Sequence, residues 1–407
     1  SSLALLAENG PCRVAEAGDG AAGRTQRNPW SWTEAANVVW VDQPAGVGFS
    51  QGPAVVNEQG VADHMLAFLQ SFYARFPEFL AVPLFLVGES YAGHYIPAVA
   101  ARVLEAPPSV AGTPARLLGV GLGNGLVNPW PQLASQPIMA FTGGVGGSLG
   151  HGVVSRATYE AMRAVLPRCH GDLLACEQLR APYLCYTAFV ACVLPQLAPV
   201  RNTGRNPYDM RVTCKCPPLC YDFSRETTFL GDPEVQRALG VNHVRSWQSC
   251  NTSLVLPFVL SGDWLNRFDY QVAKLLVAGV RVLVYNGDTD YVVDWIGSKQ
   301  WVMELDWAHK EEWAAARDVP FVSEGRVRGL ERTAGGLTFM QMYESGHLVP
   351  RDQPEASLAM LRELLAPGSR WAAAASAQPA GQLGAADPMR LVLPQVALAA
   401  LAALLLA

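Results

Sequence analysis

The chain has 407 residues, 50% hydrophobic and 16% charged, with a formal net charge of −5. That composition can bury a sizeable core and does not suit a disordered or coiled chain. A negative balance with no basic tract, and no basic patch interleaved with aromatics, argues against nucleic acid as the partner.

The chain opens "SSLALLAENGP", without an initiator methionine, a basic n-region or a signal-length apolar stretch. For a secreted protein this is the expectation for a start that has been cut. "NVVWVDQP" (37–44) reads as an apolar strand running into a polar turn. Met65, Phe68, Leu69 and Phe72 mark a helix that stops near Pro77.

In "PLFLVGESYAGHYIPA" (83–98), Leu84 to Val87 read as a buried strand ended by Gly88. Beyond it Ile96, Val99, Ala100, Val103 and Leu104 recur at helical spacing. Ser90 therefore sits on a strand-to-helix turn, and small residues at Gly88 and Ala92 let the backbone turn sharply. This is nucleophile-elbow geometry in a G-x-S-x-A variant; the plainer reading is a serine N-cap.

Three more apolar strands run into polar turns: "RLLGVGLGNG" (116–125), "VRVLVYNGDTD" (280–290) and "LTFMQMYESGH" (337–347). Strands alternating with helices predict an α/β fold with a mostly parallel, doubly wound sheet. Ligands of such sheets bind beyond the carboxyl ends of the strands.

Of nine cysteines, Cys169, Cys176, Cys185 and Cys192 cluster, as do Cys214, Cys216 and Cys220, with Cys12 and Cys250 apart. "CKCPPLC" lacks a second pair at ligand spacing, so no metal is expected and disulfides in an oxidising compartment are. The sequon at Asn251 agrees with secretion. The end of the chain, "LVLPQVALAALAALLLA" (391–407), follows a small-residue spacer and reads as a GPI-attachment signal. A retained membrane anchor and a docked helix are the other readings.

Ser90, Asp290 and His347 each stand just past a strand end, in the chain order of the α/β-hydrolase triad. His347 would take the serine proton, and Asp290 would fix the imidazole tautomer and stabilise its charged form. Asp288 competes for that place in the same turn. The other six histidines are read as satisfied structural residues. Glu89, beside the nucleophile, would have a raised pKa unless it shares a proton with another carboxyl. A carboxylate-bearing substrate gives it a use, which points to an exopeptidase working best in mild acid. Its plainer reading is an acid stabilised near a helix start.

These residues resemble the serine carboxypeptidases, most closely the carboxypeptidase Y and cathepsin A branch. The matching strings are "NPWSWTEAANVVWVDQPAGVGFS", "GESYAGHYIPA", "GLGNGLVNP", "TGRNPYDMRVTC", "VYNGDTDYVVDWIGSKQW" and "SGHLVPRDQP". They cover most of residues 1–365 in family order. The resemblance implies release of single C-terminal residues from peptides through an acyl-enzyme, with no cofactor. It assigns Ser90 as nucleophile, Asp290 rather than Asp288 as the acid partner, and His347 as base. It further implies that Glu89 and Glu8 bind the substrate carboxylate and that Tyr91 offers a backbone N–H to the oxyanion. Tyr208 and Tyr221 become walls of the leaving-residue pocket.

The resemblance also implies a discontinuous α/β-hydrolase core (1–127 and 251–370), a helical cap insertion (128–250) and a tail (371–407). Within the cap it pairs Cys169 with Cys192, Cys176 with Cys185, and Cys214 with Cys220. The family motif "NGGPGC", with the first sheet strands before it, is expected immediately ahead of Ser1. Its cysteine would pair with Cys250, while Cys12 and Cys216 have no family partner. The partners implied are peptide or protein C-termini, met in the secretory pathway, in a vacuole or lysosome or at the cell surface. An acyltransferase on the same triad, and a non-catalytic carboxypeptidase-like shell or inactive fragment, are the competing readings.

Overall fold

Four apolar runs with nowhere polar to face dictate the centre of the molecule. The computed structural model describes residues 1–15, 24–106, 116–144, 146–216, 219–241 and 247–372. Its main sheet comprises β1 (Leu84–Glu89), β2 (Leu117–Gly123), β3 (Arg281–Gly287), β4 (Val319–Ser323), β5 (Arg326–Ala334) and β6 (Leu337–Met342). Their order across the sheet is β1-β2-β3-β6-β5-β4. The first four in that order are mutually parallel, and β5 and β4 add an antiparallel margin.

Side chains alternate across a strand, so each run feeds two cores. Val282 and Val284, with Leu337 and Phe339, meet the helices α1 (Glu58–Arg75), α2 (Ala92–Glu105) and Asp269–Val277. Leu283 and Tyr285, with Met340 and Met342, meet the helix Pro354–Leu365 and Trp371 on the other face. The alternate glycines of β2 make room on that second face: a Cβ on Gly123 would lie 2.4 Å from the Tyr285 ring. Helix α1 begins where the Asn57 side chain accepts the Gly60 N–H and ends at Phe76, before Pro77.

The segment between β2 and β3 is mostly helical. Its longest members, α3 (Leu166–Leu179) and α4 (Pro182–Arg201), are joined by Cys169–Cys192 and Cys176–Cys185. Cys214 is bonded to Cys220. These are the pairs the resemblance implies, and Cys12, Cys216 and Cys250 are free. The four bridged cysteines are buried with Leu133, Leu173, Ala188 and Leu265, and Met139, Met162, Val200 and Met210 form a second buried cluster with Tyr291. Helix α4 is long and apolar enough to cross a membrane by length and composition, yet both its cysteines are fixed to α3. Replacing Cys169 and Cys192 together by serine should lower stability by about 3 kcal/mol, since their bond closes a loop of 23 residues. Thermal unfolding of the double variant checks this.

Two sequence expectations change. Residues 37–43 are not a strand: no regular structure forms there, and Val39 is 55% exposed. A strand persists only with ladder partners, and none of the described strands lies beside this one. Side chains hold it instead, Trp40 Nε1 donating to Asn9 Oδ1 (2.9 Å) and Asp42 accepting from the N–H and hydroxyl of Ser2. Trp371, assigned to the tail on sequence, is a buried core residue. One compact unit covers Ser1–Ala374. The apolar run 391–407 and its spacer from residue 373 onward lie outside the described residues.

Candidate active site

The register of the parallel strands aligns their carboxyl ends. Glu89 sits beside Gly123, Gly123 beside Tyr285, and Tyr285 beside Met340. Whatever follows each strand therefore emerges along one edge. Those followers are Ser90, Asn124, the 288–290 turn and the 343–347 loop.

Ser90 occupies the turn between β1 and α2 with φ 65°. This left-handed conformation is unfavourable for a side chain other than glycine and costs about 1–3 kcal/mol. It is held by main-chain bonds. Ser90 N–H donates to Gly123 O (2.9 Å), and its carbonyl accepts from Gly93 N and Leu126 N (both 3.0 Å). Gly88 must be glycine because a Cβ there would come within 2.5 Å of the Ala92 Cβ. Tyr91 follows as N-cap of α2, among the N–H groups that a helix start leaves without intrahelical partners.

The Asp290 carboxylate is fully buried and His347 nearly so. His347 Nδ1 and Asp290 Oδ2 are 2.7 Å apart. The carboxylate acts only as acceptor, so Nδ1 carries the proton and Nε2 is left as the free base. Nε2 is buried without a hydrogen-bond partner. The Ser90 hydroxyl is thus not engaged by the imidazole in this state; such contacts often tighten only with substrate bound. Asp288, the rival in the same turn, accepts instead from Ser148 N (2.6 Å) and Ser148 Oγ (2.9 Å).

Sequence reasoning missed Asn124. Its Nδ2 donates to the same Asp290 Oδ2 (2.8 Å), and its Oδ1 accepts the Gly287 N–H (3.1 Å). Asn124 has φ 38°, and asparagine tolerates that region better than most residues. An asparagine just past a strand end was the only signal available.

Glu8 ends a short π-helical turn, Ala4–Glu8, and is 5% exposed. Its carboxyl neighbours that of Glu89, both withdrawn from water, and two carboxyls so placed do not both ionise, so they hold a proton between them. Burial pushes Glu8 up to about 7, against the lowering influence of His347, the terminal amine and Arg351. Glu89 is raised well above the usual range by burial, then by the charges of Glu8 and Asp290.

A hairpin from the segment between β2 and β3, Arg205–Asn206 paired with Asp209–Thr213, reaches over this edge. Its Pro207 carbonyl accepts from Tyr291 N (3.0 Å) and Val292 N (3.1 Å), and its Tyr208 carbonyl accepts from His347 N (2.7 Å). The Tyr208 ring stands edge-on to His347 at 5.1 Å and 6.0 Å from the Tyr221 ring. Arg351, also missed on sequence, lies over Tyr221 at 5.4 Å. Asn251 is apart from this group, and its Nδ2 donates to Gly46 O (2.9 Å). The structure thus brings together Ser90, Asp290, His347, Glu89, Glu8, Tyr91, Tyr208 and Tyr221.

A strained serine at a strand-to-helix turn, with an Asp–His pair on later strand ends, defines an α/β-hydrolase. The serine carboxypeptidase family profile matches residues 1–367, and the chain belongs to that family. It is 33% identical over 367 residues to serine carboxypeptidase-like 47 of Arabidopsis thaliana, covering 89% of this chain and 69% of the relative. Serine carboxypeptidase 3 of Hordeum vulgare gives the same identity and coverages over 367 residues. Carboxypeptidase Y homolog A of Ajellomyces dermatitidis is 34% identical over 386 residues, covering 92% of this chain and 67% of the relative. Among solved structures, Kex1(delta)p, a prohormone-processing carboxypeptidase from Saccharomyces cerevisiae, has the same fold. Its TM-score is 0.76 at 21% identity, covering 89% of this chain and 79% of that one.

Proposed function

We propose that this chain releases single residues from peptide C-termini through an acyl-enzyme on Ser90, in mild acid and without a cofactor. The observation that carries this reading is the His347–Asp290 pair, with Nε2 unpartnered at the strand edge that bears Ser90. Ser90 Oγ attacks the last peptide carbonyl while Nε2 takes its proton. The Tyr91 N–H stabilises the oxyanion, and the imidazolium then protonates the departing amine. Water repeats the sequence on the acyl-enzyme.

The Glu8–Glu89 pair supplies the exopeptidase character. With a proton on it, the pair donates to the terminal carboxylate of the substrate; fully ionised, it repels that group. Tyr208 and Tyr221 wall the pocket of the leaving residue. The three disulfides fit an oxidising, secretory-pathway location.

A blocked dipeptide with a free carboxylate and the same peptide as its C-terminal amide provide the test. The acid should be hydrolysed at least tenfold faster; equal rates would remove the exopeptidase reading. The pH profile follows from the raised carboxyl. The contribution of Glu8 to stability is complete below about 4.5 and lost as pH rises through about 7. Activity on the acid should weaken as Glu8 ionises over that window and fall away once the proton kept by Glu89 is lost as well. The double variant Glu8→Gln with Glu89→Gln, in which neither group can ionise, should flatten that fall. An unchanged profile in the variant would place the titration elsewhere.

A further inference from the structure

His94 lies on α2 four residues beyond Ser90, fully buried, and neither ring nitrogen has a hydrogen-bond partner. The sequence reading of it as a satisfied structural histidine does not hold. Its Nδ1 is 3.8 Å from Asp263 Oδ1, beyond hydrogen-bond reach. Glu58, in the first turn of α1, is 3% exposed, and both its carboxylate oxygens are buried without partners. Asp263, 5% exposed, accepts from the Glu58 N–H (2.8 Å) and the Tyr91 hydroxyl (3.0 Å), leaving lone pairs on both oxygens. One ligand atom from each of the three residues lies within 4.8 Å of the others.

Two carboxylates and an imidazole do not persist together away from water unless something positive joins them. We propose that Glu58, His94 and Asp263 bind a divalent cation of the zinc class. One nitrogen and two carboxylate oxygens suit such an ion, with water completing the set, and its charge balances the two acids. In a tetrahedral set, bonds of about 2.0–2.2 Å hold ligand atoms about 3.3–3.6 Å apart. The cluster, whose ligand atoms lie within 4.8 Å of one another, must therefore draw in by about 1 Å, which the unpaired Glu58 carboxylate can do. A groove of about 390 Å³ lies beside the cluster, lined by Glu58 and Asp263 with Ala98, Arg102, Arg180 and Phe268 but not by His94. None of Ser90, Asp290 and His347 lines that groove. The ion would be structural, pinning the turn of α2 next to the nucleophile through His94 and through Asp263 on Tyr91.

The competing occupant is a single proton, carried by Glu58 and donated to Asp263. The full chain, stripped with chelator and desalted, is given Co²⁺ alone near neutral pH, then Zn²⁺. One equivalent of Co²⁺ should give visible ligand-field bands that Zn²⁺ abolishes, and Zn²⁺ should raise Tm. Glu58→Gln should weaken Co²⁺ binding at least tenfold. A folded wild-type chain without Co²⁺ bands, melting alike with chelator and with Zn²⁺, overturns the site in favour of the proton. If Glu58→Gln does not fold, X-ray absorption of the Zn²⁺-loaded wild type decides. One imidazole among oxygen ligands supports the site; sulfur from the free cysteines, or oxygen alone, overturns it.

Discussion

Alanine at Ser90 is expected to give a folded chain that takes no fluorophosphonate label and hydrolyses a blocked dipeptide about 10⁴–10⁶-fold more slowly than the unsubstituted chain. The loss is large because the acyl-enzyme needs that oxygen. It is selective because the turn is held by bonds of the Ser90 main chain to Gly123, Gly93 and Leu126, which alanine keeps. Alanine also carries the same left-handed strain, so Tm should stay nearly unchanged. Peptide mapping after labelling of the unsubstituted chain should place the adduct on Ser90. An alanine variant retaining a tenth of the activity would put the nucleophile elsewhere.

Asn at position 290 should be nearly as damaging, with kcat down about 10⁴-fold. Asp290 Oδ2 accepts from both His347 Nδ1 and Asn124 Nδ2. An amide has a single accepting oxygen: placed at Oδ2 it turns its NH₂ onto the Val292 N–H, which now donates to Asp290 Oδ1 (3.0 Å), and flipped it turns the NH₂ onto His347 and Asn124. If it faces the ring, His347 must turn its proton to Nε2, the position that has to accept the serine proton. Asp288→Asn is the matched control in the same turn. Asp288 accepts from Ser148 and Ser345, so its loss should cost about 1–3 kcal/mol of stability and change kcat only a few-fold. Steady-state kinetics on both variants separate the roles, and similar kcat values for the two would sink the assignment.

How much of this was legible in the residues depended on what each residue answers to. Three of the parallel strands, β2, β3 and β6, could be read because strands buried on both faces are written as unbroken apolar runs. The fourth, β1, read in the same way as buried, stands at the edge of the described sheet, and its residues are all half-buried. The antiparallel margin could not. Arg326, Arg328, Glu331 and Arg332 interrupt its apolar pattern, and their charges are met only in three dimensions, as when Arg332 finds Asp318 at 2.8 Å. Residues 37–44 have the composition of a strand, but strand formation belongs to a pair of segments rather than to one. The Ser90, Asp290 and His347 positions were visible as strand ends. Asn124 was not, because its partner lies 166 residues away and only the sheet register brings the two together. Residue types alone left Asp288 and Asp290 equal, and the resemblance chose between them. His94 reads as an ordinary core histidine until its neighbours are seen.

The hairpin that carries Tyr208 has a mechanical implication. Its consecutive carbonyls, Pro207 and Tyr208, are bolted to the backbones of the loops that present Asp290 and His347. A side group that fits badly against Tyr208 would therefore be felt by the imidazole as a displacement. On the proposed function, in which Tyr208 walls the pocket of the leaving residue, discrimination among leaving residues should then surface in turnover as much as in affinity, and remodelling that wall to accept a new residue means retuning the proton-transfer machinery along with it.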